Sequence, residues 1–485
     1  MISCGSPSCW SKGGDMSTLV MKFGGSSVGS VQALRQALAI VGDEAEKWDR
    51  LAVVVSAMNG VTDDLIGCAR SAEAGSEDVY RTIVSGLRER HQSVVDELVA
   101  RGEGKEQLSA TIDEFIHDLQ ALCDSINILG EVTPRAMDTI ASLGERLNAR
   151  VMAEAARQSG LRSEAVDATE LIVTDDKYQN AAPLMEETRD RVRERLVPVL
   201  ESGIVPVVTG FIGATQKGIT TTLGRGGSDY TAAILGDCLD ADEVWTWTDV
   251  DGVMTADPRM VPEAKVIPVL SYAEVSELAY FGAKVLHPRT ILPVVRRGIP
   301  LWVKNTFNPT HEGTRIMHSK NNSHGKIKAV TAIEGMSMVT VEGRGMMGVP
   351  GIAARTFAAV ASQGASVLMI SQASSEQSIC FVIPTATVPP VISALEGEMA
   401  GELARRDIER IWSMDDVVIV TAVGAGLRST PGIAARVFSA LGEGGINVVA
   451  IAQGSSECNL SLVVSGGDAG AAVRQIHDEV ILNGG

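Results

Sequence analysis

The sequence predicts an α/β fold: a three-layer αβα sandwich around a mostly parallel central sheet, followed by two small βαββαβ modules. Three observations carry that reading. The chain has 485 residues, more than one ordinary core accommodates, so several domains are expected. From Thr18 to about Ile316, short runs of Val, Ile and Leu alternate with longer helical patterns. Beyond about Lys328 one pattern occurs twice.

The alternation starts with an apolar strand at Thr18–Met21, which runs into Lys22-Phe23-Gly24-Gly25-Ser26-Ser27. Val53-Val54-Val55 marks a second strand and precedes a helix-rich stretch up to Gln158. Val205-Pro206-Val207-Val208 and Val244-Trp245-Thr246-Trp247 are further strands, with a turn and a helix from about Ser228 to Cys238 between them. Strands that lack polar alternation are buried on both faces, as in a parallel sheet covered by helices, and ligands of such sheets gather at the carboxyl ends of the strands. On this reading residues 17–316 form the first domain, 317–328 a solvated linker, and residues 1–16 a disordered N-terminal tail.

The repeat is Pro350-Gly351-Ile352-Ala353-Ala354-Arg355, which recurs as Pro431-Gly432-Ile433-Ala434-Ala435-Arg436, with the match extending to Ser374-Ser375-Glu376 and Ser455-Ser456-Glu457. Such self-similarity marks two copies of one supersecondary unit. Each copy reads as a strand (Met338–Glu342; Val417–Val423), a Gly-rich turn, a helix opening at Pro-Gly, and two more strands around Ser371 and Cys380 or Ala452 and Ser461. This is the first part of a ferredoxin-like βαββαβ module, small enough to favour pairing with its twin. The modules are placed at 329–410 and 411–485. Gly343-Arg344-Gly345-Met346-Met347-Gly348 matches the dinucleotide fingerprint G-x-G-x-x-G, but no acidic residue ends the next strand and the second copy lacks the third glycine. It is read as a turn.

Composition narrows the function classes. With 42 Lys+Arg against 60 Asp+Glu the formal charge is -18, which repels nucleic acid and anionic lipid, so neither is an expected partner. A polyanionic substrate therefore needs a local cationic pocket. No stretch approaches a membrane span and no apolar run of a signal peptide is present. The seven cysteines form no C-x-x-C pair and the seven histidines no metal spacing, so reduced thiols in the cytoplasm are expected.

The chain contains no Walker loop, and other phosphate cradles are the candidates. In Lys22–Ser27, paired glycines let backbone N–H groups turn toward an anion while Lys22 adds charge; the plain alternative is a strand-to-helix turn. A second constellation is Thr220-Thr221-Thr222-Leu223-Gly224-Arg225-Gly226-Gly227-Ser228-Asp229-Tyr230. Its glycines permit close backbone approach, the helix start favours anions, and Arg225 suits bidentate carboxylate recognition. Ser228 or Asp229 can cap that helix; alternatively Asp229 is a Mg²⁺ ligand, since an Asp beside phosphate needs an intervening cation. A third cluster spans Thr248-Asp249-Val250-Asp251-Gly252, Asp257-Pro258-Arg259 and Phe281–Pro288, where Arg259 and Lys284 supply cationic charge and His287 reads as structural, at a helix end.

At these residues the sequence resembles the aspartate kinases of the amino acid kinase superfamily, on Lys22–Ser27, on Val54-Val55-Ser56-Ala57-Met58-Asn59-Gly60-Val61-Thr62 and on Gly210-Phe211-Ile212-Gly213 through Asp229. The likeness spans Val20 to Val464, and the repeat is similar to the paired ACT modules of that family, in which one module is often nested in the other. The resemblance implies the amino acid kinase fold and ATP-dependent phosphorylation of the β-carboxylate of L-aspartate, with Mg²⁺. It implies that Lys22 neutralises the transferring phosphoryl group, cradled by Gly24, Gly25 and Ser26, with Gly226 and Gly227 also near phosphate. Ser56, Ala57, Thr62, Glu145 and Arg225 would hold aspartate, Glu145 on its ammonium and Arg225 on a carboxylate, in a pocket lined by Phe211, Gly226 and Ser228. Thr248, Asp249, Gly252, Arg259 and Lys284 match ATP-binding positions, and Met254 stands where relatives often carry a tyrosine.

The resemblance also implies an end-product effector and a homo-oligomer, dimer or tetramer, assembled through the ACT modules. Effector contacts are expected at Met347, Gly348, Val349, Pro350, Gly351, Ile352, Ser366, Val367, Gln372 and Ser374, and at Asn447 and Gln453 in the second copy. Gln372 beside Ser374 and Ser375, and Gln453 beside Ser455 and Ser456, suit a hydroxyl-bearing amino acid, so L-threonine is the expected effector and L-lysine the lesser alternative, kept open by Glu376. A fused homoserine dehydrogenase is not expected, since the chain ends with the repeat.

Overall fold

The computed structural model describes residues 16–282, 286–318, 325–372, 377–453 and 457–482. Contacts divide the chain into two compact units: one holds residues 1–252 and 286–318, the other 253–285 and 319–485.

In the first unit the main sheet has the spatial order Ser163–Val166, Val205–Thr209, Arg50–Val55, Thr18–Phe23, Glu243–Thr248, Leu301–Asn305, Thr314–Met317. All neighbours are parallel except the last pair. The strand Thr18–Phe23 is buried along its whole length. Its Leu19, Met21 and Phe23 join the main core with Leu34, Leu147 and Trp247, while Lys22 points to the opposite face, toward the helix Gly227–Cys238. Alternate residues therefore serve two helical layers, and the sandwich follows from burial on both faces. The helix-rich stretch resolves into Val61–Glu73, Glu77–Leu98, Glu103–Leu129, Pro134–Ala141 and Leu143–Gln158. A small second sheet of Val173–Thr174, Ile212–Thr215 and Thr220–Thr222 stands where the sequence suggested only a turn.

The second unit is built on a six-stranded antiparallel sheet with the order Met369–Gln372, Ser378–Pro384, Ala329–Glu342, Arg410–Val423, Asn459–Ser465, Ala450–Ala452. The two central strands have 14 residues each and are shared between the repeats. Met336–Glu342 pairs with Ser378–Pro384, and Arg410–Met414 lies beside its far half; Ala329–Ile333 lies beside Ile419–Val423, whose other neighbour is Asn459–Ser465. Each repeat is thus completed by a strand lying outside it, and the register shifts at Ile333–Met338, where the strand passes from one copy to the other. The helices Ile352–Ser362 and Ile433–Glu443 open after Gly351 and Gly432, both with left-handed backbone, and pack in separate cores.

The glycines of the apparent dinucleotide fingerprint have a packing role. A Cβ on Gly343 would stand 2.3 Å from the Asp407 carbonyl oxygen, and one on Gly345 would stand 2.4 Å from Asp407 Cα. Residues 253–285 group with this unit although they fall within the stretch 17–316. Ala256 and Val261 sit in the core of the second repeat with Val330, Leu462 and Ile476, the Val330 amide donates to the Thr255 carbonyl at 2.8 Å, and Thr255 Oγ1 meets buried His477 Nε2 at 2.9 Å. Among the described residues no helix is long and apolar enough to cross a membrane.

Candidate active site

At the carboxyl ends of the central strands of the first unit lies a cleft of about 570 Å³. Three chain segments meet there because small residues allow it. The turn after Thr18–Phe23 is a short 3₁₀ helix, Gly25–Val28, and a Cβ on Gly25 would stand 3.2 Å from the Ala57 carbonyl oxygen of the turn after Arg50–Val55. The Asn59 amide closes that contact by donating to the Gly25 carbonyl at 3.2 Å. Gly24 donates to the Trp247 carbonyl at 3.1 Å, and Ser27 Oγ to the same oxygen at 3.2 Å. The third segment is Gly224–Gly227, where Gly224 (φ 77°) and Gly226 (φ 72°) turn the chain into the helix Gly227–Cys238. Phe211, itself left-handed at φ 70°, lies so close that a Cβ on Gly227 would stand 2.6 Å from its ring.

Lys22 is 8 % exposed, and its Nζ lies 2.8 Å from Asp229 Oδ1. Neither Ser228 nor Asp229 caps the helix, contrary to the first of the two sequence readings: Gly226 is the N-cap and no side chain bonds there. The reason is the ion pair, which turns Asp229 toward the sheet. Arg225 is exposed at the cleft and forms no ion pair among the described residues.

Glu145, in the first turn of Leu143–Gln158, is 3 % exposed and lines the cleft. Gly144 permits this, since a Cβ there would stand 2.7 Å from Ala57 Cβ. Burial pushes the Glu145 carboxyl up to about 8, against backbone hydrogen bonds from Ala57 and from its own amide. Its Oε2 is buried without a hydrogen-bond partner. A desolvated carboxyl with an open acceptor is a position prepared for a cation.

Of the expected site residues, Lys22, Gly25, Ser56, Ala57, Thr62, Glu145, Phe211, Arg225, Gly226, Gly227, Ser228 and Asp229 all line this one cleft. Gly24 and Ser26 belong to the same turn. Thr248 Oγ1 donates to Asp249 Oδ1 at 3.1 Å, and Gly252 (φ 148°) ends the segment; these three are not among the cleft-lining residues. Met254 and Arg259 belong to the other unit. There Met254 bridges to Val266, and Arg259, 79 % exposed in its side chain, pairs with Asp257 at 2.6 Å. Lys284 and Ser374 lie outside the described residues. His287 begins a 3₁₀ turn rather than ending a helix, its Nδ1 accepting from the Arg289 amide at 3.3 Å. Asp138 and Gln179 also line the cleft and carry no motif that would have singled them out, while Asn59 lies within the Val54–Thr62 segment without having been given a role.

In the second unit Met347, Gly348, Val349, Pro350 and Gly351 form an exposed turn, and Ile352 is buried beneath it. Ser366 and Asn447 are exposed at equivalent places, with Val367 half-buried. Gln372 ends one edge strand of the sheet and Gln453 directly follows the other. The sheet curls enough that Met369 and Ala450, from opposite edges, pack in one apolar cluster.

A parallel sheet with such a cleft at its carboxyl ends is the architecture of the amino acid kinase family, whose model matches residues 17–305; the model of the ACT domain matches residues 339–399 and 420–480. "Aspartokinase 2, chloroplastic" of Arabidopsis thaliana is 32 % identical, over 95 % of this chain and 84 % of that protein. The crystal structure of Escherichia coli aspartokinase III in complex with aspartate and ADP (R-state) superposes with a TM-score of 0.78 at 30 % identity, covering 96 % of this chain and 99 % of that one. The same enzyme in complex with lysine and aspartate (T-state) gives 0.78 at 29 %. The chain belongs to the aspartokinases of the amino acid kinase family, with paired ACT domains. A bifunctional aspartokinase/homoserine dehydrogenase of Arabidopsis thaliana is 38 % identical over 96 % of this chain but only 51 % of that protein, and the chain spans about half the length of such relatives.

Proposed function

We propose that this chain transfers the γ-phosphoryl group of ATP to the β-carboxylate of L-aspartate, giving 4-phospho-L-aspartate. The observation that carries the reading is the open acceptor of buried Glu145 in the same cleft as Lys22, Asp229 and Arg225. Glu145 offers a carboxylate to the substrate ammonium, Arg225 a guanidinium to a carboxylate, and Lys22 a buried cation to phosphate. Ser56, Ala57, Thr62, Phe211 and Ser228 close the pocket around the amino acid. The neighbouring Escherichia coli enzyme with aspartate and ADP supports both substrates.

The reacting carboxylate is ionised at neutral pH, so its attack on phosphorus needs no general base. What remains is to bring two anions to about 3–3.5 Å in line and to neutralise the charge that develops. Lys22 lies near the end of its strand with little water around it, which strengthens its field on an incoming phosphoryl group. The backbone of Gly24, Gly25 and Ser26, and the helix start at Gly226-Gly227, supply further positive potential. Mg²⁺ fits this site as an ion delivered with ATP. Asp229 is one carboxylate, and no group of three or more possible ligands occurs among the described residues, which suits a cation that takes most of its ligands from phosphate and water. Held beside Asp229, it would neutralise part of the phosphate charge.

The ACT pair is proposed to bind L-threonine as an end-product effector, through Gln372, Gln453 and the turn from Met347 to Ile352, with assembly into a homo-oligomer through the same modules and a cytoplasmic location. Incubating the purified chain with ATP, Mg²⁺ and L-aspartate, and trapping the acyl phosphate with hydroxylamine, tests the activity. A hydroxamate that needs all three components is expected; equal or faster turnover of glutamate or UMP overturns the assignment.

A further inference from the structure

Asp138 is a buried carboxylate that the phosphoryl-transfer scheme does not use. It sits on the helix Pro134–Ala141, is 1 % exposed, and lines the cleft. No cation pairs with it among the described residues. Instead it accepts from the Gln179 amide at 3.1 and 2.9 Å, one contact to each oxygen, from the Thr222 amide at 3.0 Å and from Thr222 Oγ1 at 2.8 Å. Burial pushes its carboxyl up and these donors pull it down. A carboxylate kept dry without a counter-ion is costly. Its use must lie in what it holds.

It holds two segments that bear on Arg225. Gln179 has φ 67°, a left-handed backbone that is unfavourable for a non-glycine residue, and its backbone amide donates to Asp138. The turn so fixed abuts Gly224: a Cβ on Gly224 would stand 2.9 Å from Asn180 Oδ1 and 3.2 Å from the Gln179 carbonyl oxygen. Arg289 Nη1 secures Asn180 Oδ1 from the other side at 2.9 Å. Thr222, the second segment, ends the strand that leads directly into Gly224-Arg225-Gly226, and its carbonyl accepts from the Ala181 amide at 2.9 Å. Arg225 is exposed, so the direction of its long side chain depends on the backbone beneath it.

We propose that Asp138 is a positioning residue which sets the Gly224–Gly227 turn, and with it Arg225, for the carboxylate of the amino-acid substrate. The inference rests on the aspartate-kinase reading for the identity of that substrate; the placement of the turn rests on the hydrogen bonds alone. Asparagine can keep most of these bonds, its oxygen accepting from the Gln179 and Thr222 amides and its NH₂ donating to the Thr222 hydroxyl, whereas alanine leaves both amides without their acceptor.

The test compares wild type, Asp138→Ala and Thr222→Val. Hydrogen exchange on the unliganded proteins should show faster exchange in peptides covering 177–182 and 220–228 in Asp138→Ala, with the rest of the chain unchanged. Steady-state kinetics should show KM for L-aspartate raised at least ~10-fold and KM for ATP within about twofold of wild type. Thr222→Val, which loses only the hydroxyl donor, should raise KM for aspartate by roughly threefold and keeps the test alive if Asp138→Ala does not fold. Unchanged exchange overturns the proposal, and so does faster exchange with both KM values unaltered, which would make Asp138 merely structural. A wild type that makes no acyl phosphate defeats the activity reading and, with it, the substrate named here, while the exchange result still decides whether Asp138 sets the turn.

Discussion

Lys22 Nζ and Asp229 Oδ1 lie 2.8 Å apart, joining the strand Thr18–Phe23 to the first turn of the helix Gly227–Cys238 with side chains 10 % and 17 % exposed. The pair links two of the three segments that the site is built from. A carboxylate at a helix start is favoured by the helix dipole, but Asp229 bonds no backbone N–H of its own helix end, and its charge is spent on the cleft instead. An anion entering the cleft competes with Asp229 for Lys22.

Lys22→Ala and Asp229→Asn should therefore each lower kcat by at least ~100-fold with the fold retained, since both act on charge in the transition state. Arg225→Ala should chiefly raise KM for aspartate. Steady-state kinetics with circular dichroism as the folding control checks all three, and a near-normal kcat in Lys22→Ala would place the phosphate site elsewhere.

Glu145 gives the site a pH signature. Its carboxyl is pushed up to about 8 by burial, so in the empty cleft it is protonated at neutral pH, and binding the substrate ammonium requires it to lose that proton. KM for aspartate should fall as pH rises from 6 toward about 8, by up to roughly tenfold per unit, and level off above. Stability runs the other way. A folded-state pKa above the unfolded value near 4.5 means that the folded chain holds the proton more tightly, so stability is full below about 4.5 and declines as pH rises through about 8. Glu145→Gln should abolish the pH dependence of KM, raise KM itself, and have a higher Tm than wild type at pH 9 with a smaller difference at pH 6. A pH-independent KM in wild type would show that the ammonium binds elsewhere.

Much of this was legible in the sequence because it rests on local signals. Apolar runs without alternation marked the parallel strands, and the Pro-Gly-Ile-Ala-Ala-Arg repeat gave the helices and hairpins of both ACT copies. The exchange of strands between the copies was not legible. Ala329–Ile333 and Met336–Glu342 read as one β-run, and only the partners across the sheet, with the register shift near left-handed Gly335, divide them between modules. Asp138 escaped for a similar reason: a lone Asp in a short helix carries no motif, and its partner Thr222 is 84 positions away. Gln179 is left-handed without the glycine that would announce it.

The segment after Gly252 offers a test of packing. Val261 is wholly buried in the core of the second ACT copy, beside Val330, Ile433 and Ile476. Val261→Ala leaves a cavity that neighbours fill only in part, and should destabilise the C-terminal unit by about 1–3 kcal/mol. Urea unfolding followed by hydrogen exchange should place the loss in residues 325–482. A loss confined to residues 16–252 would contradict the grouping of this segment.

The effector prediction rests on the two edges of the ACT sheet. Gln372 ends the strand Met369–Gln372 and Gln453 follows Ala450–Ala452, both exposed, beside Ile370 and Ile451 at 50 % and 46 % exposure. Each edge thus offers an amide next to exposed apolar surface. An amide can donate to a carboxylate and accept from a hydroxyl or ammonium, which suits the backbone and side chain of threonine. Lysine is the rival, since the Escherichia coli neighbour is known in complex with it. A buried ε-ammonium asks for a carboxylate; neither described edge strand carries one, and Glu376, which keeps lysine open, lies outside the described residues. An effector that inhibits must bind one arrangement of the paired modules more tightly than another, so removing its contacts should relieve inhibition without slowing turnover. Gln372→Ala and Gln453→Ala should each leave kcat nearly unchanged and weaken threonine inhibition roughly tenfold or more, about 1.4 kcal/mol. Titrating threonine and lysine against the wild type and both variants decides between them: an uninhibited wild type, or stronger inhibition by lysine, refutes threonine as the effector.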